Sequence, residues 1–148
     1  MFRLKNIARL LVLGALTATF QPTHAQFLTK ITEYFPAPGQ FTNADNIGTP
    51  SAANSLIGNN KGLVSLGSFG GSITVYFPNG IKNDAGNPYG VDFTIYGNAN
   101  LTWAEPGIIQ VMKDENKNGL PDDTWYEIAG SEHFWSSTLS NYAVTYLN

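Results

Sequence analysis

The sequence predicts an all-β domain, an antiparallel two-sheet sandwich. Three observations point there. Short runs alternate apolar and polar residues, each run is bounded by Gly, Pro, Asn or Asp, and no sustained helical pattern follows residue 25. Strict alternation buries one face of a strand and wets the other, which is the antiparallel case.

The runs follow in order. Residues 27–35 form the first and 63–66 the second. In 72–77, Ile73, Val75 and Phe77 share a face; in 91–96, Val91, Phe93 and Ile95 do. Residues 108–112, 124–128 and 142–147 complete a set of seven, enough for two packed sheets. The connections carry turn chemistry at Gly67, Gly70, Gly71, Asn79-Gly80, Ala85-Gly86-Asn87-Pro88 and Gly97-Asn98. Residues 36–62 show little periodicity and read as a loop-rich crossover, with one short strand or helical turn near Asn54 to Ile57.

The N-terminus is of a different kind. Arg3, Lys5 and Arg9 precede an apolar run from Leu10 to Phe20, and Thr23-His24-Ala25 closes it with a small residue. This is the order of a secretory signal peptide over 1–25, with the mature chain starting near Gln26. An uncleaved N-terminal anchor is the alternative, although the run is short for a bilayer core of ~30 Å. The expected location is secreted or cell surface, with no membrane insertion of the mature chain. Residues 26–148 suffice for one domain and one core. All 11 acidic residues and five of the eight basic ones fall after position 25, so this part carries a net charge of −6. Five scattered Lys with no Arg give no footprint for nucleic acid. With no Cys, disulfides, thiolate metal sites and a lipidated N-terminus are excluded. A core or a bound metal must then brace an exported domain.

One segment carries chemistry. Residues 114–123 read Asp-Glu-Asn-Lys-Asn-Gly-Leu-Pro-Asp-Asp. Side-chain oxygens recur at alternate positions, Asp114, Asn116 and Asn118, and Gly119 follows where the chain must turn sharply. Ca²⁺ takes six to eight oxygen ligands, and such a start supplies them from one tight loop. The candidate ligands are Asp114, Asn116, Asn118, the carbonyl of Leu120, Asp122 and Asp123, with Glu127 and Glu105 as lesser ones. The twelfth position is Trp125 rather than Glu and the flanks read as strands, so the loop is not an EF-hand. A plain polar turn is the competing reading, since Asp, Asn and Gly form turns unaided. Crowded carboxylates repel one another without a cation, which favours metal.

Other constellations are sparser. His133 is the lone histidine after residue 25, Gly-x-Ser-x-Gly is absent, and Gly67–Gly71 precedes no helix, so neither an activated serine nor a phosphate cradle is expected. Trp103, Trp135 and Tyr89 are the candidate ligand-stacking residues. Glu105 and Asp92 are the carboxylates that a glycan hydrolase would need.

Longer segments resemble a known family. They are Glu33-Tyr34-Phe35-Pro36-Ala37-Pro38-Gly39-Gln40-Phe41, residues 64–73 (Val-Ser-Leu-Gly-Ser-Phe-Gly-Gly-Ser-Ile), residues 90–99 (Gly-Val-Asp-Phe-Thr-Ile-Tyr-Gly-Asn-Ala), and the stretch from Glu105 to Asp114 and on through Gly119 to Ser131. Together they resemble a group of bacterial secreted and cell-surface proteins. The segment from Ile108 to Ser131 is similar to a signature of galactose-binding-like, discoidin-type jelly rolls, with the 114–123 loop in place of a shorter turn. The resemblance implies a jelly-roll sandwich serving adhesion or glycan binding, a structural calcium, and more protein beyond residue 148. It carries over no set of sugar ligands. The expected function is therefore a calcium-stabilised binding module without catalysis, whose partner is an extracellular glycan or surface protein. A glycan hydrolase using Glu105 and Asp92, or a purely structural segment of a larger surface protein, is the alternative.

Overall fold

The computed structural model describes residues 26–102 and 104–147; the signal peptide expected over 1–25 and the stacking candidate Trp103 lie outside the described residues. Strands predominate among the regular elements. Among the described residues they are β1 (Lys30–Phe35), β2 (Ser72–Tyr76), β3 (Gln110–Met112) and β4 (Trp125–Glu127), with one α-helical turn, α1 (Pro50–Ala53), and 3₁₀ turns at Asn54–Leu56 and Pro88–Gly90. The strands form two antiparallel sheets of two, β1 with β2 and β3 with β4. The fold is thus β-rich and antiparallel.

In the first sheet Lys30 pairs with Tyr76 and Ile31 with Val75, whereas Glu33 pairs with Thr74. Two residues of β1 are therefore spent against one of β2. The bulge falls at Thr32, whose hydroxyl donates to the carbonyl of Thr74 at 3.1 Å. A bulge switches the face on which later side chains lie. This is why residues 27–35 do not alternate cleanly in sequence. Across the bulge, Thr74 Oγ1 donates to Glu33 Oε2 at 3.1 Å.

The crossover from 36 to 71 is held mostly by single hydrogen bonds. Thr49, in extended conformation, caps α1 by accepting from Ala52 N at 3.1 Å, and Pro50 opens the helix where its missing N–H is no loss. Ala52 and Ala53 are buried and α1 packs on β1. The helical turn lies at the position expected near Asn54, beginning four residues earlier. Tyr34 Oη donates to Ser65 O at 2.6 Å, and burial pushes its phenol above the ordinary tyrosine value. Gly67 has φ +76°, and a Cβ there would collide with Ala37 O.

Three of the seven expected strands do not form. Residues 63–66 run beside the start of the crossover, with Ser65 N donating to Ile47 O at 2.7 Å and Ala37 N to Leu66 O at 3.0 Å. Residues 91–96 and 142–147 join no ladder. Val91 and Ile95, expected to face inward, are exposed, as are Tyr142, Val144 and Tyr146. The C-terminal run reaches back instead, Tyr142 meeting Phe69 edge-on at 6.0 Å between centroids and Tyr146 Oη donating to Phe69 O at 2.8 Å.

Candidate functional site

The 114–123 loop joins β3 to β4. Their register, Gln110 to Glu127, Val111 to Tyr126 and Met112 to Trp125, is extended by a bond from Ile128 N to Ile109 O at 2.9 Å. The frame holds the loop ends at a fixed strand spacing, so the loop must fold back within the residues between them.

It does so on its own side-chain oxygens. Asp114 accepts twice from the backbone, at Oδ1 from Asn118 N at 3.1 Å and at Oδ2 from Gly119 N at 2.9 Å. Asn116 Oδ1 accepts from Asn118 N at 2.9 Å, and Asn118 Oδ1 accepts from Leu120 N at 2.7 Å. These are successive Asx turns, the reason Asn and Asp suit these positions. Lys117 and Gly119 take positive φ, 59° and 71°, where the chain reverses. Asp122 closes the loop by accepting from Asn118 Nδ2 at 2.9 Å and Asn116 Nδ2 at 3.4 Å. The indole Nε1 of Trp125 donates to Pro121 O at 3.3 Å, which fixes the descending limb.

Four of the six expected metal ligands, Asp114, Asn116, Asn118 and Asp122, are thus joined in one hydrogen-bond cluster. Asp123 is turned elsewhere: its Oδ2 accepts from Glu115 N at 3.0 Å, beside a crevice of about 80 Å³ lined by Lys113, Glu115, Asp123, Thr124 and Tyr126. Leu120 follows the turn with its N–H engaged by Asn118. Among the described residues no three His, Cys, Asp or Glu side chains form a metal-holding group; the cluster combines two carboxylates with two amides. Such a set of hard oxygen donors suits Ca²⁺ rather than a transition metal.

The aromatic candidates stand apart. Tyr89 sits in the Pro88–Gly90 turn at φ 59°, fully exposed, and Trp135 is 61% exposed. They make no ring contact with each other. Of the hydrolytic pair, Asp92 Oδ1 holds a turn by accepting from Asp84 N at 3.2 Å and Asn87 Nδ2 at 2.9 Å, while Glu105 makes no hydrogen bond or ion pair among the described residues. Glu127, one of the two lesser metal candidates, faces His133 instead, Oε1 to Nδ1 at 3.1 Å, and His133 packs edge-on against Phe134. That pair spans six residues across a strand end, a separation for which sequence holds no periodic signal. A shallow groove of about 320 Å³ between β1 and α1, lined by Ile31, Thr32, Glu33, Tyr34, Pro50, Ser51 and Asn54, was likewise not legible in the sequence.

Compared with known proteins, the chain matches no family model and no curated protein. No helix among the described residues is long and apolar enough to cross a membrane.

Proposed function

We propose that residues 26–148 form an exported, calcium-stabilised binding module of galactose-binding-like, jelly-roll type whose partner is an extracellular glycan. The observation that carries this reading is the convergence of Asp114, Asn116, Asn118 and Asp122 on one tight turn between paired strands. Asp114 and Asp122 would supply carboxylate oxygens, Asn116 and Asn118 amide oxygens, and Leu120 its carbonyl. The cation would offset the repulsion between the carboxylates and brace the β3–β4 hairpin. Sites as weak as ~10⁻³ M serve outside cells, where calcium is abundant. The exposed rings of Trp135 and Tyr89 offer flat apolar faces on which a sugar can stack.

The test has two arms. Thermal melts with Ca²⁺ against chelator should show a higher Tm with the ion; at a hundredfold excess over Kd the gain is about 2.7 kcal/mol. An unmoved Tm refutes the calcium assignment. A glycan array probed with and without Ca²⁺, repeated for Trp135→Ala, should show retention that the substitution removes; no glycan retained in either condition refutes the partner. Mass spectrometry of exported protein should find Gln26 or a near neighbour at the N-terminus, and a chain starting at Met1 refutes export with cleavage.

A further inference from the structure

The chain contains two Asn-Gly dipeptides, Asn79-Gly80 and Asn118-Gly119, and the structure gives them different hydrogen bonding. We propose that Asn79 is a site of spontaneous, selective deamidation, and that Asn118 is protected from the same reaction by its loop.

The reaction needs no enzyme. The backbone nitrogen of the following residue loses its proton to solvent base and attacks the Asn Cγ. A C–N bond forms, the Cγ–Nδ2 bond breaks, and ammonia leaves with a proton from water. The five-membered succinimide then adds water at either carbonyl, giving aspartate or isoaspartate. No electron is gained or lost, and water is the only co-reactant. Glycine favours the step because no Cβ hinders the approach.

Asn79 meets these requirements. It lies in the exposed turn leaving β2, and its side chain makes no hydrogen bond among the described residues. Its amide can therefore rotate toward the Gly80 nitrogen. Gly80 sits at φ +66° with open space around its Cα, and its N–H is held only by the neutral carbonyl of Phe77 at 3.0 Å.

Asn118 is likewise exposed and Gly119 likewise has positive φ and open space, so the hydrogen bonds make the difference. Its Oδ1 accepts from Leu120 N at 2.7 Å and its Nδ2 donates to Asp122 Oδ2 at 2.9 Å, so both ends of the amide are fixed. The nitrogen that would attack, Gly119 N, donates to the Asp114 carboxylate at 2.9 Å. Removing a proton there would set a nitrogen anion against a carboxylate, which like-charge repulsion opposes. A near-attack geometry is accordingly withheld at Asn118 and open at Asn79.

The product matters to the fold because isoaspartate inserts an extra methylene into the main chain where β2 ends, and either product adds a carboxylate to an already acidic surface. The test is peptide mapping by mass spectrometry after incubating the intact protein at mildly alkaline pH. Asn79 should convert faster than Asn118 by roughly tenfold or more, equivalent to ~1.4 kcal/mol in barrier. In denaturant the two rates should become similar. Equal rates in the folded protein, or a ratio that persists in denaturant, overturn the proposal. Asn79→Gln should abolish isoaspartate at that turn, and Asp114→Ala should raise the Asn118 rate toward that of Asn79. An unchanged Asn118 rate overturns the shielding role of the loop.

Discussion

Replacing Asp114 by Ala removes the acceptor of two backbone bonds, from Asn118 N and Gly119 N. Bonds to a charged acceptor are worth about 1.5–3 kcal/mol each when buried, but this loop is wet and water replaces part of what is lost. A net loss of about 1 kcal/mol per bond gives about 2 kcal/mol for the turn. That corresponds to a roughly thirtyfold fall in the protection of the Gly119 amide against hydrogen exchange. The assay is amide exchange followed by NMR in chelator, so that only the chain's own bonds are read. Asp114→Asn keeps an acceptor and loses the charge, and should fall between wild type and Ala. The amides of β1 and β2 should not respond, because they pair only with each other. Gly119 protection that falls less than about threefold refutes the reasoning, since the carboxylate would then contribute under half a decade to the turn.

Other substitutions probe the rest of the molecule. Gly67→Ala should destabilise the chain strongly in a denaturant melt, because it meets both a positive φ and the carbonyl of Ala37. Thr49→Ala removes the α1 cap and should cost about 1 kcal/mol by the same measurement, with Thr49→Ser restoring it. Tyr34→Phe should cost about 1 kcal/mol through the lost bond to Ser65 O. The raised phenol of Tyr34 means that the fold favours the neutral form. Its contribution is full below the ordinary tyrosine value of ~10 and is lost as pH rises through the raised one, so alkaline melts of wild type should lose stability there while Tyr34→Phe loses less.

The four strands all lie inside runs that the sequence marks, because period-2 patterning and Gly, Asn and Pro boundaries are local properties. The turns at Asn116 and Asn118 are local in the same way, since each Asn side chain bonds the backbone two residues on; the reach of Asp114 to Asn118 and Gly119 is longer. Partner choice was not legible. Residues 91–96 alternate as clearly as 72–77, yet alternation names a face and not a neighbour, and without a neighbour a strand's backbone groups are left to solvent. The bulge at Thr32 hid the phase of β1, and the bond from Tyr34 to Ser65 depends on a crossover whose path no periodicity records. Of the candidate residues close in sequence, Asp114, Asn116, Asn118 and Asp122 share one hydrogen-bond cluster and Asp123 does not; those far apart, Tyr89 and Trp135, are not brought together.

The unequal separations within the two strand pairs bear on how the chain folds. The β3–β4 hairpin closes across residues 113–124, whereas β1 and β2 meet across residues 36–71, three times as many. Loop-closure entropy grows as (3/2)RT ln n, so the longer closure costs about 1 kcal/mol more before any pairing is gained. The short hairpin also carries its own reversal in the Asx turns, while the long one depends on α1 and the Tyr34–Ser65 bond to gather the intervening chain. The 110–127 hairpin is accordingly the one whose closure costs the chain less entropy.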